Sequence, residues 1–127
     1  MSINCIRTLI EDANVSNPDK IALVFGNEKL TYRELFTKVN QIAYYLAELD
    51  LPKGSRIGLY SNKGIDQVIA ILAILSTNYV LVPLTKLLKA EQVEYIIGDC
   101  DIKCIITDKI KLESIEEIKF NGHIISY

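Results

Sequence analysis

The sequence has few of the residues that carry catalysis, metal binding or covalent cross-links. Its 127 residues include no tryptophan, one histidine and three cysteines, and 14 basic residues stand against 16 acidic ones. Neither sign of charge dominates, and no block of five like charges occurs, so the sequence lacks the basic face that nucleic acid or an anionic membrane requires. Binding to nucleic acid is therefore not expected.

Long apolar segments and an export signal are also missing. The longest apolar run, Val68 to Leu75, is far below the roughly 20 residues that cross a bilayer, so no membrane span is predicted. The first seven residues carry one cation and are followed by Glu11 and Asp12, which is unlike a signal peptide. A cytoplasmic location is the default expectation.

The cysteines and the histidine offer little support for a disulfide, a metal site or a catalytic residue. Cys5, Cys100 and Cys104 are an odd number without an export signal, which favours reduced thiols over disulfides. A tetrahedral zinc site would need Cys5 and His123 beside the other two cysteines, and buried apolar thiols are the preferred interpretation. His123 follows Gly122 at the start of an apolar strand, so it is predicted to be a structural or surface residue.

Hydrophobic periodicity predicts an amphipathic N-terminal helix, a β-hairpin, and then strands alternating with helices. The predicted helices are 3–16, 31–49, 64–76, 89–99 and 109–118, and the predicted strands are 21–25, 29–32, 56–60, 79–83, 103–107 and 122–127. Thr31 and Glu34 have the spacing of a capping box. Nearly apolar strands between helices imply an α/β fold, a three-layer αβα arrangement with a mostly parallel sheet, preceded by the N-terminal helix and the short β-hairpin.

The sequence contains no Gly-Lys-Ser/Thr phosphate loop and no dinucleotide-binding glycine pattern. The nearest approach is the strand-to-helix turn Ser61-Asn62-Lys63-Gly64, whose helix N-terminus could receive an anion. The preferred interpretation is that Ser61 or Asn62 caps the helix. One alternative hypothesis is a small cytosolic nucleotide-binding domain with a doubly wound fold, which would place its ligand beyond the carboxyl ends of the strands, near Asn62 or Thr85. No residue is assigned to catalysis, cofactor binding or a metal.

Four segments, in order, resemble the opening of the adenylate-forming enzyme superfamily, which comprises acyl-CoA synthetases, aryl-CoA ligases, luciferases and the adenylation domains of nonribosomal peptide synthetases. They are 17–23; 30–35 (Leu-Thr-Tyr-Arg-Glu-Leu); Ala73 and Leu75 with Val82-Pro83-Leu84; and 88–97 with Ile105-Ile106-Thr107-Asp108. The second segment matches the family's first core motif at every fixed position. The amino-acid sequence of the fourth segment resembles acyl-CoA ligases more than amino-acid-activating domains.

Two residues depart from the family pattern. Asn78 stands where the family usually has glycine, and since asparagine tolerates left-handed backbone, we expect the helix-to-strand turn to survive there. Thr85 stands where Asp or Asn usually follows the Pro-Leu pair, which could alter the cap of the next segment.

The resemblance implies the activity of a larger enzyme. A full family member uses ATP and magnesium to convert a carboxylic acid to acyl-AMP and then passes the acyl group to coenzyme A or a carrier thiol. Its ATP-binding and catalytic motifs would lie downstream of Tyr127. Residues 1–127 are therefore predicted to form a single unit, the truncated N-terminal subdomain of such an enzyme, with the remainder of that enzyme as partner and no cofactor of their own.

A second hypothesis belongs to a different class of protein. The chain could be a finished binding or assembly module that completes another chain. It could also form dimers through the sheet edge left open at Tyr127.

Overall fold

The computed structural model describes residues 6–127, so Cys5 and the predicted helical residues 3–5 lie outside the described part. The chain divides into two compact units. The first unit comprises residues 6–50 and 64–77, and the second comprises residues 51–63 and 78–127. The assignment of residues 1–127 to a single domain stays a prediction.

The first unit consists of three helices and a β-hairpin. In chain order these are α1 (Ile6–Ser16), β1 (Ile21–Phe25), β2 (Glu28–Thr31), α2 (Tyr32–Glu48) and α3 (Ile65–Leu75). Strands β1 and β2 pair antiparallel around Gly26, whose φ of 60° is the left-handed turn conformation that glycine adopts without strain. Apolar residues of all five elements form one cluster, which includes Ile10, Leu30, Leu35 and Ile69.

The start of α2 follows directly from its sequence. The Thr31 hydroxyl accepts a hydrogen bond from the Glu34 amide at 3.2 Å, and the Glu34 carboxylate accepts one from the Thr31 amide at 3.1 Å. The hydrogen bond from the Thr31 amide is the largest influence on Glu34 and lowers the pKa of its carboxyl. The predicted capping box is confirmed.

The second unit is built on a parallel sheet. Its elements are β3 (Arg56–Tyr60), β4 (Val80–Leu84), α4 (Ala90–Cys100), β5 (Ile102–Thr107), α5 (Lys109–Glu116) and β6 (His123–Ser126). The strand order is β4-β3-β5-β6, and all three pairings are parallel. Apolar residues of the sheet and both helices, including Ile105, Val93 and Ile115, form a second buried cluster.

The predicted α/β fold with a parallel sheet, an N-terminal helix and a short hairpin is confirmed, and the element bounds shift by a few residues at most. The turn from α3 to β4 is present at Asn78, as expected, but it does not use left-handed backbone there. Among the described non-glycine residues only Asp50 and Asp101 have positive φ, so the turn from α3 to β4 needs no left-handed residue at Asn78. No helix within residues 6–127 is both long and apolar enough to cross a membrane.

Candidate functional site

The loops that follow β3, β4 and β5 meet at the carboxyl edge of the sheet. Tyr60, the last residue of β3, pairs with Leu84 at the end of β4 and with Thr107 at the end of β5. The chain passes from β3 to β4 on one side and returns to β5 on the other, so the strand order reverses beside β3. Open parallel sheets bind ligands at such a switch point, and this edge is therefore the candidate site.

Asn62 and Asp108 are joined at the switch point. Asn62 follows β3 and Asp108 follows β5. The Asn62 backbone N–H and side-chain Nδ2 both donate to Asp108 Oδ2, at 2.6 and 2.9 Å. The other carboxylate oxygen, Oδ1, accepts from the Lys111 amide at 2.7 Å and so caps α5. One carboxylate thus ties two loops together and starts a helix.

These hydrogen bonds change the acidity of Asp108. Partial burial is the largest single influence and raises the pKa of the carboxyl. The hydrogen bonds from the Asn62 and Lys111 amides and from the Asn62 side chain act in the other direction and together lower the pKa below its ordinary value. Asp108 is therefore an ionised acceptor at neutral pH and has no proton to give to a substrate.

The loop after β4 is held by two further side chains. The buried Tyr60 donates its hydroxyl proton to the Leu88 carbonyl at 2.6 Å. Lys111 Nζ donates to the Lys86 carbonyl at 2.8 Å and lies 5.3 Å from the centre of the Tyr60 ring, a cation–π distance. Thr107 in turn donates its hydroxyl to the Tyr60 carbonyl at 2.7 Å. Side chains of β3, β5 and α5 therefore order this edge.

Asn62 and Thr85, the two predicted ligand-proximal residues, lie at the ends of the neighbouring strands β3 and β4. Both Asn62 donors are directed to Asp108. Thr85 builds a turn instead, because its carbonyl accepts from the Leu88 amide at 3.1 Å and its hydroxyl from the Leu87 amide at 3.4 Å. Contact with a ligand at either residue stays a prediction.

The predicted cap of α3 by Ser61 or Asn62 is wrong. The N-cap of α3 is Gly64, which has no side chain to accept a hydrogen bond, and the Asn62 side chain acts as a donor to Asp108. An anion approaching the Asn62 amide would meet the Asp108 carboxylate already bound there. The Asn62 donors are thus already occupied by a carboxylate of the protein itself.

Sequence reasoning did not identify Asp108, Lys111 and Tyr60 as site residues. Asp108 carried a usable local signal, because an aspartate between an apolar strand and a helix is a typical N-cap. Its link to Asn62 joins residues 46 positions apart in sequence. No local pattern encodes such a contact.

The cysteines and the histidine do not converge. Cys104 is buried in β5, and burial raises the pKa of its thiol to about 12, so it is an inert thiol at neutral pH. Cys100 is half-buried at the end of α4, and His123 is exposed at the start of β6. Within the described residues, no three His, Cys, Asp or Glu side chains are grouped as a metal site would need, and Cys5 lies outside those residues.

Solved structures define the class of this fold. The chain superimposes on NpsA-ThdA, an artificially fused adenylation–PCP di-domain NRPS from Klebsiella oxytoca, with a TM-score of 0.85 and 21% identity. The match covers 99% of this chain and 23% of that one. The fold is therefore that of the corresponding part of an adenylation domain.

Sequence comparison places the chain in a family. The family model of the AMP-binding enzymes matches residues 10–126, and the chain belongs to this family. It is 32% identical over 120 residues to tyrocidine synthase 1 of Brevibacillus parabrevis, a match that covers 94% of the chain and 11% of that protein.

A second curated relative comes from the ligase side of the family. The chain is 31% identical over 104 residues to the medium/long-chain-fatty-acid–CoA/3-oxocholest-4-en-26-oate–CoA ligase of Mycobacterium marinum, which covers 82% of the chain and 19% of that protein. The chain thus spans between about a tenth and a fifth of the length of these two relatives.

Proposed function

We propose that this chain is the N-terminal scaffold of an ATP-dependent, AMP-forming ligase. The protein that carries it converts a carboxylic acid and ATP to acyl-AMP and pyrophosphate, and then transfers the acyl group to the thiol of coenzyme A or of a carrier protein. The observation that carries this proposal is the match of residues 10–126 to the AMP-binding enzyme family. Both kinds of relative, a peptide synthetase and a CoA ligase, support the shared first step.

The geometry of the carboxyl edge supports a scaffold role for this segment. Its polar side chains are directed to one another and to backbone carbonyls, as in the pairs Asn62–Asp108 and Tyr60–Leu88. Asp108 is an ionised acceptor with three hydrogen bonds, and Cys104 is a buried thiol. We infer that ATP, magnesium and the acid are bound by other parts of the protein.

Exchange of labelled pyrophosphate into ATP tests the activity. The intact protein is incubated with ATP, magnesium and panels of fatty, aryl and amino acids, and we expect exchange that depends on at least one acid. Product analysis with coenzyme A or a carrier thiol then identifies the acceptor. Absence of exchange with every class of acid would contradict the proposed ligase activity.

The scaffold role has a separate test. The 127-residue chain alone is assayed for the same exchange under the same conditions. We expect no exchange with any acid, because the segment would supply neither the ATP site nor the catalytic groups. Turnover by this chain alone would overturn the scaffold role and leave the ligase assignment standing.

An assembly role is a second candidate, favoured by the edge strand β6. This strand pairs with β5 on one side and ends the strand order of the sheet in residues 6–127, and Ile124 on it is 41% exposed. An open strand edge can pair with another chain. The native mass of the protein in cells separates the two proposals, because a 14.3 kDa product supports the module and a much longer polypeptide supports the ligase.

A further inference from the structure

The loop after β4 has an unusual pair of attachments. Two side chains, Tyr60 from β3 and Lys111 from α5, donate hydrogen bonds to carbonyls two residues apart, those of Leu88 and Lys86. The Lys111 ammonium group also lies 5.3 Å from the centre of the Tyr60 ring. The two attachments therefore touch each other as well as the loop.

Apart from its own turn at Thr85 and the Lys89 amide bonded to the Gln92 side chain, the loop has few buried contacts. Leu87 at its centre is 80% exposed, and Lys86 and Lys89 are also exposed. Leu88 is the member that faces inward, since it packs against the buried cluster that contains Tyr60 and Val93. A segment with few buried apolar contacts opens at low free energy, and among the described residues Tyr60 and Lys111 supply its side-chain hydrogen bonds from β3 and α5.

We propose that residues 85–89 form a strap, a loop that opens and closes as one unit over the carboxyl edge of the sheet, with Tyr60 and Lys111 as its common latch. In the closed state Leu88 covers Tyr60, which is 1% exposed. Release of the latch frees the Lys86 and Leu88 carbonyls together and uncovers Tyr60 beside the switch point. The strap thereby gates access to the part of the edge where Asn62 lies.

Residue-resolved amide hydrogen exchange on the intact protein tests the strap. Lys111→Met keeps the aliphatic stem and removes the ammonium donor, and Tyr60→Phe keeps the ring and removes the hydroxyl. A hydrogen bond from a charged donor contributes more than a neutral one, so we expect exchange about tenfold faster in Lys111→Met and about fivefold faster in Tyr60→Phe. In each variant the amides of Leu87 and Leu88, which bond to Thr85 within the strap, should accelerate by the same factor.

Matched controls separate strap opening from general destabilisation. Lys109→Met changes an exposed lysine of the same helix, and Tyr95→Phe changes a tyrosine that is 72% exposed, and both should leave exchange in the strap unchanged. The amide of Ile105 in the central strand β5 should keep its wild-type rate in all four variants. Two results would overturn the proposal: unchanged strap exchange in both latch variants, or acceleration confined to a single amide in each.

Discussion

The two compact units differ in the contacts that stabilise each of them internally. The first unit depends on apolar packing among helices and a hairpin, and its long-range side-chain hydrogen bonds, Arg7–Asn40 and Arg33–Asp19, lie on the exposed surface. The second unit adds hydrogen bonds that are buried or partly buried and join separate strands or loops, such as Thr107 to Tyr60 and Asn62 to Asp108. Polar contacts out of water carry a larger penalty when broken.

This difference explains where function can be located. In the first unit the long-range side-chain hydrogen bonds lie at the surface, and the partly buried hydroxyls of Ser76 and Thr77 bond only to carbonyls within four residues. In the second unit the ordered polar side chains are concentrated at the carboxyl edge of a parallel sheet, where such folds bind ligands. The carboxyl edge of the second unit therefore remains the candidate site.

The largest expected effects come from the two apolar clusters, which should respond alike. Leu35→Ala in the first unit and Ile105→Ala in the second remove side chains that are 4% and 0% exposed. Each should lower the free energy of unfolding by about 2–5 kcal/mol, measured by denaturant titration, because a cavity adds to the lost burial. The exposed controls Leu9→Ala and Ile110→Ala, at 56% and 75% exposure, should stay within about 0.5 kcal/mol. A small effect from one buried variant alone would mean that its unit contributes little to global stability.

A glycine pair sharpens the comparison inside the second unit. A Cβ on Gly122, just before β6, would collide with the Lys103 backbone carbonyl and the Phe120 ring, so Gly122→Ala should cost about 3 kcal/mol by forcing the backbone apart. Gly98 in α4 has open space around it, and Gly98→Ala should stabilise by about 1 kcal/mol through helix propensity. Thermal unfolding shows whether each variant has a lower or a higher melting temperature than the wild type. Equal shifts in the same direction would show that the approach at Gly122 is not tight.

The Asp108 contacts give the next largest effect. Asp108→Ala removes the cap of α5 and the acceptor for Asn62, and it should cost about 2 kcal/mol in denaturant titration. Asn62→Ala should cost less, and the double variant should cost less than the sum because both changes remove one shared contact. Additive losses would mean that Asn62 and Asp108 act independently.

Asp108 also predicts a pH dependence. Its folded-state pKa is lowered, so its contribution to stability is fully present above the pKa of the unfolded chain and is lost as the pH falls through the folded value. Wild-type protein should therefore lose more stability on acidification than Asp108→Asn, which cannot titrate. Identical acid titrations of the two proteins would contradict this assignment.

Local sequence patterns predicted the helices and strands because the signals that start and form these elements lie within a few residues of each other. The Thr31–Glu34 capping box fixes the start of α2, and an apolar run of five residues marks β1. The parallel sheet followed from apolar strands that alternate with helices. The bounds that moved lie at strand and helix ends, where tertiary hydrogen bonds decide the last residue.

The candidate site was only partly predictable, because its contacts join distant positions. Proximity of Asn62 and Thr85 follows from their place after adjacent parallel strands. The partner of Asn62 is 46 residues away, and Tyr60 and Leu88 are 28 residues apart. Asn78 shows the same limit, because the turn is set by the Thr77 amide bonding to the Ile74 carbonyl rather than by left-handed backbone at residue 78.

The smallest expected effect tests the surface polar contacts of the first unit. Thr31→Ala removes the hydroxyl that accepts the Glu34 amide, and it should lower the free energy of unfolding by about 1 kcal/mol, the usual contribution of an N-cap. Thr37 is the matched control within the same helix, since its hydroxyl only donates back to the Arg33 carbonyl. Thr37→Ala should be neutral or slightly stabilising because alanine has the higher helix propensity. If Thr31→Ala lowered the free energy of unfolding as much as Asp108→Ala, an exposed helix cap would contribute as much as a partly buried one. The contrast between the polar contacts of the two units would then be wrong.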